Sequence, residues 1–416
     1  MTEEKKKRII FVDDETNVLD GLRRMLRPMR NEWDMAFVTT GGEALQSMEV
    51  QPYDVVVSDM RMPTMDGAEL LKAVIARWPE TIRFVLSGQS DNETILRSIG
   101  PAHQYMSKPC DADILKSTIA RAFALRGVLK SKELKELVSQ INSLPSLPDL
   151  FVRVQDELSS EDASVRRVGE LIEQDVAMSA KILQLVNSAF FGLSSPVTSP
   201  AHAVSLLGLD LMKSLVLVVH VFSEANAPHF PGLSVETLHH HSLSVASFAR
   251  AIARAETSER SISDHAFLAG ALHDMGRLIL MANMPDRYRT VIGRVRDEGV
   301  SLLKAEKEEF GATHSSVGAY LLGLWGFPDP VVEAAVFHHA PRQSLCAVFS
   351  ALTAVHAANV IEYETRAAGP LGDAPLFDEE YLESIRLSDR PDSWRNLCEP
   401  FDRREEAETT AGGATG

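Results

Sequence analysis

Five short β-rich runs alternate with amphipathic helical stretches over residues 8–125, and that alternation leaves few architectures open. The runs are Arg8–Val12, Asp34–Thr39, Asp54–Ser58, Arg83–Ser87 and Gln104–Ser107. The helical stretches are Val18–Arg27, Gly42–Glu49, Gly67–Arg77, Asn92–Ile99 and Asp111–Leu125. Units of this size predict an α/β doubly wound, five-stranded parallel sheet with helices on both faces. Such a sheet forms its site at the carboxyl ends of the strands, where the strand order reverses. The third run, with Val55, Val56 and Val57 in succession, predicts a strand buried on both faces. It nevertheless ends on Asp59 and turns at once through Met60-Arg61-Met62-Pro63. A carboxylate at the mouth of an apolar strand is badly placed for stability alone.

The first run also ends on acids, Asp13-Asp14. With strands 1 and 3 adjacent, three carboxylates converge at one rim, where they repel and raise one another's pKa. A hard divalent cation relieves this, and oxygen ligands that keep several waters suit Mg²⁺. Such a cation orients a phosphoryl group and leaves one carboxylate oxygen as nucleophile. Ser87, in Leu86-Ser87-Gly88, can donate its hydroxyl to a phosphoryl oxygen. Lys108, in Ser107-Lys108-Pro109, can pair with the phosphate as a point charge. Together with Asp59-MRMPTMDG, these positions resemble the receiver domain of two-component response regulators, a flavodoxin-like fold, over roughly residues 7–125. The resemblance implies that Asp59 is the phospho-acceptor. It implies that Asp14 and Asp59 bind Mg²⁺, with Asp13 acting through water and the Arg61 carbonyl completing the protein's share. It further implies that Ser87 is the switch hydroxyl and Tyr105 the rotating aromatic that reports it. The implied partner is a sensor histidine kinase or a phosphotransfer protein.

Residues 126–142 read as a charged linker helix. Leu134, Leu137, Ile141 and Leu144 are spaced three, four and three apart, which suits either a short coiled coil joining a homodimer or a connector laid on one domain. Leu144-Pro145-Ser146-Leu147-Pro148 breaks that helix. From 143 to 362 apolar residues recur at helical spacing, as at Leu268, Leu272, Met275 and Ile279, so an all-α domain is expected. Residues 363–400 read as a helical extension, either part of that domain or an added pair of helices. Residues 401–416 turn acidic and then small and polar, the composition of a disordered tail.

The 416 residues carry 42 basic and 58 acidic side chains, a net charge of −16. Such a chain is poorly suited to non-specific DNA or anionic membrane binding, and no direct DNA contact is expected. The lysines and arginine at positions 5–8 read as a solvated lead-in to the first strand. No signal peptide is recognised, and the most apolar run, Ser214–Phe222, is short of a membrane span. Cys110, Cys346 and Cys398 are scattered, as reduced thiols in a cytoplasm would be.

The helical part places histidines where they cost stability: His241, His273 with Asp274, His314, and the pair His338-His339. Imidazole and carboxylate together suit Fe, Mn, Zn or Ni. This ordered set resembles the HD superfamily of metal-dependent phosphohydrolases. More closely, residues 143–362 resemble an HDOD domain, its regulatory branch, through LPSLP (144–148), DVAMSAKILQLVNSAFFG (175–192), GALHDMGRLIL (270–280) and the HSSVGAYLLGLWGFPDPVVEAAVFHHA segment (314–340). Two departures weigh against turnover. Asn359 stands where active HD hydrolases carry a closing aspartate. Pro341-Arg342-Gln343 follows the histidine pair without the glycine-tyrosine-proline signature of the branch that cleaves cyclic di-GMP. The expectation is therefore a response regulator whose helical domain acts mainly through contacts with a downstream protein. The alternative is a receiver-controlled metal-dependent phosphohydrolase.

Overall fold

Val55, Val56 and Val57 are wholly buried because their strand, β3 (Val55–Asp59), runs through the middle of a five-stranded parallel sheet. The computed structural model describes residues 6–87, 102–108, 110–126, 129, 131–141, 153–187 apart from 155, 159 and 161, 196–209, 212, 216, 230, 233–365 and 375–399. The remaining strands are β1 (Lys7–Val12), β2 (Trp33–Val38), β4 (Ile82–Ser87) and β5 (Gln104–Ser107). Their order is β2-β1-β3-β4-β5, so the first and third strands are neighbours, as expected, and the order reverses there. Helices α1 (Thr16–Met25), α2 (Gly41–Val50), α3 (Gly67–Arg77) and α4 (Ala112–Arg126) accompany the sheet. The expected Val18–Arg27 helix ends earlier, at Met25, and gives way to a 3-10 turn over Arg27–Asn31. Pro28 lies there and cannot supply the N–H that an α-helix would use. The expected helix over 92–99 lies outside the described residues.

Helix α5 (Lys132–Gln140) begins at Ser131, whose hydroxyl accepts the Leu134 N–H. Leu134, Val138 and Ile141 are buried within the same chain. Two of the four positions read as a coiled-coil seam thus face the protein's own core, which is how a connector packs. Leu137 is half-buried, and Leu144 lies outside the described residues.

Eleven further helices follow to Thr365 among the described residues. They are α6 (Val165–Glu173), α7 (Val176–Val186), α8 (Pro200–Leu207), α9 (Val235–Glu256), α10 (Arg260–Leu272), α11 (Met275–Asn283), α12 (Pro285–Glu298), α13 (Leu302–Phe310), α14 (His314–Leu324), α15 (Asp329–Phe337) and α16 (Ala351–Thr365). Helix α14 is apolar all round and buried along its length, so it lies inside the domain and not on its surface. The stretch 375–399 carries α17 (Glu379–Ser384) and buries Tyr381, Leu382, Trp394 and Cys398. The Tyr381 and Thr353 hydroxyls are 2.7 Å apart, and the Trp394 indole N–H donates to Glu256 at 2.9 Å. This stretch, left open between two readings by the sequence, packs into the helical core. Among the described residues no helix is long and apolar enough to cross a membrane, and Cys110, Cys346 and Cys398 form no disulfide with one another.

Candidate functional sites

The carboxyl rim of the sheet gathers the first set of residues. Strands β1 and β3 pair with Val12 opposite Ser58, which brings Asp13 and Asp59 to the same edge. Strands β4 and β5 pair Ser87 with Ser107, so Lys108 follows at that rim. Asp13 and Asp59 are both buried, and the Lys108 ammonium sits between them. It lies 2.7 Å from Asp13 Oδ2 and in contact with Asp59 Oδ1. The Arg61 N–H donates to Asp59 Oδ2 at 2.6 Å, and the Glu15 N–H donates to Asp13 Oδ1 at 3.0 Å. Burial raises the Asp59 pKa despite the Lys108 ammonium beside it. Lys108 itself is raised: burial pulls it down, and its hydrogen bonds to Asp13 and Asp59 outweigh that pull.

Asp14 is exposed at the rim, and the three acids do not close into a tight cage. That openness suits Mg²⁺, which keeps several waters and needs only one or two carboxylates. The donors present, the Asp13, Asp14 and Asp59 carboxylates with the Arg61 carbonyl, are all oxygen and fit that ion. The side chains of Ser87 and Tyr105 lie outside the described residues; their backbones end β4 and run along β5.

The second site is assembled at helix ends. His241 projects from α9. His273 and Asp274 occupy the break between α10 and α11, and so end and begin helices instead of lying within one apolar helix as expected. His314 opens α14, and His338-His339 follow α15. All six expected residues converge. The ligand atoms of His241, His273 and Asp274 lie within 4.8 Å of one another, as do those of Asp274, His314, His338 and His339. Asp274 is common to both groups. Its Oδ2 is 3.4 Å from His241 Nε2 and 3.5 Å from His273 Nε2. Its Oδ1 is 3.2 Å from His314 Nε2 and 3.7 Å from His338 Nε2. His339 Nε2 is 3.1 Å from His314 Nε2.

Four of the five rings are aimed from behind. The Nδ1 atoms of His241 and His314 lie 2.7 Å from Glu362 and 2.8 Å from Glu306, and those of His273 and His338 lie 2.7 Å and 3.0 Å from the Gly270 and Ala335 carbonyls. An Nδ1–H that donates outward leaves an Nε2 lone pair facing the centre. Burial holds His273 neutral, with a pKa lowered to about 4, and pushes His338 and His339 well below the usual range. Burial also opposes charge on His241 and His314, but neighbouring carboxylates outweigh it: Asp274 and Glu362 for the first, Glu306 foremost for the second. Lone pairs and a carboxylate pointed at one another repel unless a proton or a cation lies between them, and imidazoles backed by carboxylates or carbonyls are a common frame for a metal. The donor set fits a transition metal.

Arg277, buried on α11, reaches Asp274 Oδ2 at 3.0 Å. Burial would raise the Asp274 pKa, but Arg277 and the histidines hold it well below the usual carboxylate range. A cavity of about 180 Å³ opens here, lined by Arg277, His314, His339, His356 and Tyr363 among others. Asn359 is buried on α16 one turn before Glu362. The backing residues Arg277, Glu306 and Glu362 were not foreseen. Their only sequence signal is a spacing of three or four from a candidate ligand or its expected partner, and Glu306 lacks even that.

Residues 9–120 match the family model of the response regulator receiver domain, and residues 144–341 match that of the HDOD domain. The hydrogenase transcriptional regulatory protein HoxA of Cupriavidus necator is 38% identical over 127 residues, 30% of this chain and 26% of that protein. An uncharacterized protein of Treponema pallidum is 26% identical over 208 residues, 49% of this chain and 39% of that one. The chain thus spans well under half the length of these relatives. Among solved structures, the MmoQ response regulator of Methylococcus capsulatus is 22% identical, with a TM-score of 0.47 over 62% of this chain and 98% of that one. An HDOD domain protein of Geobacter sulfurreducens is 22% identical, with a TM-score of 0.37 over 70% of this chain and 95% of that one.

Proposed function

We propose that this chain, a response regulator receiver domain over residues 9–120 joined to an HDOD domain over residues 144–341, takes a phosphoryl group onto Asp59 and passes the change to its helical domain, which acts by contacting a downstream protein. The Lys108 ammonium held between Asp13 and Asp59 supports this reading most directly. An Asp59 carboxylate oxygen attacks the phosphorus of a phosphohistidine on a sensor kinase or phosphotransfer protein. The phosphorus–nitrogen bond breaks, the histidine keeps the electron pair, and an acyl phosphate forms on Asp59. Mg²⁺ on Asp14, Asp59 and the Arg61 carbonyl, with Asp13 acting through water, would neutralise charge on the transferring group. Lys108 gives up one carboxylate partner and pairs with a phosphoryl oxygen. Ser87 turns toward the phosphate and Tyr105 follows, a shift between two populated states.

Mass spectrometry after incubation with acetyl phosphate and Mg²⁺ tests the assignment. The wild type should gain one phosphoryl group and Asp59→Asn none. Equal uptake by the variant would overturn it.

A second reading, of a metal centre in the HDOD domain with phosphohydrolase activity, is favoured by the inward-facing Nε2 atoms around Asp274. His241, His273, Asp274, His314, His338 and His339 would hold Fe, Mn, Zn or Ni, which supplies Lewis acidity when bound. The chain's own part is to fix the rings through Glu306 and Glu362 and to present Arg277 to an anion in the cavity. Asn359, neutral where a carboxylate is expected, keeps this reading second. Elemental analysis of the purified protein decides whether a metal is held. Incubation with cyclic di-GMP and a generic phosphodiester decides whether anything is cleaved.

A further inference from the structure

Helix α14 has its two ends at the two sites. Its first residue, His314, is tied down by Glu306, which accepts from the His314 backbone N–H at 2.9 Å. Its carboxyl end meets the receiver. The helix closes with Phe327 N–H donating to Leu322 O at 3.1 Å, while Gly326 takes a φ of 78°. Carbonyls of a last helical turn lack partners within the helix and need donors from elsewhere. For Leu324 O the donor comes from strand β5: Gln104 Nε2 donates to it at 2.9 Å, and at 3.3 Å to Gly323 O, which also accepts the Gly326 N–H at 3.1 Å. A Cβ on Gly326 would stand 3.1 Å from the Gln104 carboxamide, so the glycine makes the room in which that side chain sits. Arg121 of α4 grips the same corner through the Phe327 carbonyl and Asp329.

The other end of α14 is equally fixed. A Cβ on Gly276 would fall inside the His314 carbonyl, and one on Gly318 would lie 2.9 Å from the Gly276 backbone N. The start of α11 and the first turns of α14 are therefore in direct backbone contact. An axial displacement of α14 must carry His314 with it and press on the turn that bears His273 and Asp274. The helix has 11 residues, about 16 Å at 1.5 Å per residue, and its largely buried surface, apolar beyond the first turn, resists deformation.

We propose that Gln104 is a positioning residue for the histidine cluster: a receiver side chain that caps a helix of the neighbouring domain and sets, through α14, where His314 and the His273–Asp274 turn lie. Gln104 is four residues before Lys108, so whatever moves Lys108 at the phosphorylation rim reaches the cap along a single strand. Only the affinity readout below rests on reading the cluster as a metal centre.

The whole 416-residue chain, treated with a chelator, is titrated with Co²⁺ while amide exchange is followed by mass spectrometry. Gln104→Met keeps the bulk and removes the donor. Gln104→Lys restores a donor and adds a positive charge that a helix carboxyl end favours. Gln104→Met should weaken Co²⁺ binding about fivefold or more and speed exchange over 270–280 and 314–324, and Gln104→Lys should recover both. Unchanged exchange over 270–280 in Gln104→Met, with or without a loss of global stability, overturns the proposal. If the wild type takes up no Co²⁺, the metal reading falls by itself. Faster exchange at 270–280 in Gln104→Met, reversed in Gln104→Lys, would still support the cap.

Discussion

Lys181 shows at the scale of one residue what the joint between the domains costs. It is buried on α7 with its ammonium 4.9 Å above the Trp325 ring, close to the buried pair Arg83 and His103. Burial lowers its pKa to about 7. The unfolded chain holds this proton up to the ordinary lysine range near 10.5, so between about pH 7 and pH 10.5 the unfolded state binds more protons. Stability from this group therefore rises with pH across that window, and the penalty is fully present below it. Lys181→Met should raise stability at neutral pH by about 2 kcal/mol and flatten the rise on the alkaline side, as denaturant midpoints measured from pH 6 to 9 would show. A second prediction concerns Glu362, which backs His241. On the reading of the cluster as a metal centre, Glu362→Gln should weaken transition-metal binding about tenfold with the fold intact, and unaltered affinity by calorimetry would show that Glu362 does not support a ligand ring. These contrasts also mark what the sequence could tell. Asp13, Asp59 and the six cluster residues stood out because aspartate and histidine are costly in apolar runs, and Lys108 because it follows a strand directly and precedes Pro109. Arg277, Glu306, Glu362 and Gln104 did not, because charged and amide residues are ordinary on helices and strands. Only burial and the partner across the fold distinguish them.

Elements show a similar division. The strands were legible to within a residue because short β-prone runs, β-branched in β1, β3 and β4 and aromatic-containing in β2 and β5, alternate with helical stretches. The described helices of the receiver followed within a residue or two, with α1 ending two residues early before Pro28. The 3-4-3 spacing in α5 could not say whether the apolar face meets a second chain or the protein itself, since both burials use the same periodicity. The break between α10 and α11 was also hidden, because the residues flanking His273-Asp274 continue the apolar pattern without interruption. Just past that break, Gly276 comes into direct backbone contact with α14. Gly276→Ala should lower stability by about 3 kcal/mol or more, as overpacking against backbone does, and should scatter the ligands of the cluster. The control is Gly293→Ala on α12, where a Cβ meets nothing within 4 Å. That change should be neutral or stabilising by a few tenths of a kcal/mol up to about 1 kcal/mol. Thermal melts of the two variants side by side check both signs.

At the scale of the whole molecule, the receiver and the helical domain meet along a polar joint. Arg83, wholly buried on β4, donates to the Thr81 carbonyl at 2.9 Å and to the Ser139 carbonyl of α5. Gln184 of α7 donates to the His103 carbonyl at 3.1 Å, and Arg287 of α12 pairs with Glu133 of α5 at 2.9 Å. With Gln104 and Arg121 at the end of α14, these contacts hold β4, β5, α4 and α5 against the helical core. A joint that buries the cations Arg83 and Lys181 is not optimised for strength, because desolvation offsets much of what the pairings return. Its closed form should therefore exceed the open one by only a few kcal/mol, a margin that a ligand can shift. Each tenfold change in the open-to-closed ratio needs about 1.4 kcal/mol of differential binding, and a reversal from 1:99 to 99:1 about 5.5 kcal/mol. Lys108 now grips two carboxylates at the end of β5, and a phosphoryl group on Asp59 would draw it to a new partner. Beryllium fluoride with Mg²⁺ should accordingly loosen the joint, raising the radius of gyration in solution scattering and speeding amide exchange at Ser139 and around Gln184. Arg121→Ala should shift the unliganded protein part of the way in the same direction. Lys108→Ala, which still offers the acidic rim but cannot transmit its charge along β5, should blunt the response. Identical scattering and exchange with and without the fluoride adduct, once its binding has been verified, would show that the receiver signals by some route other than this joint.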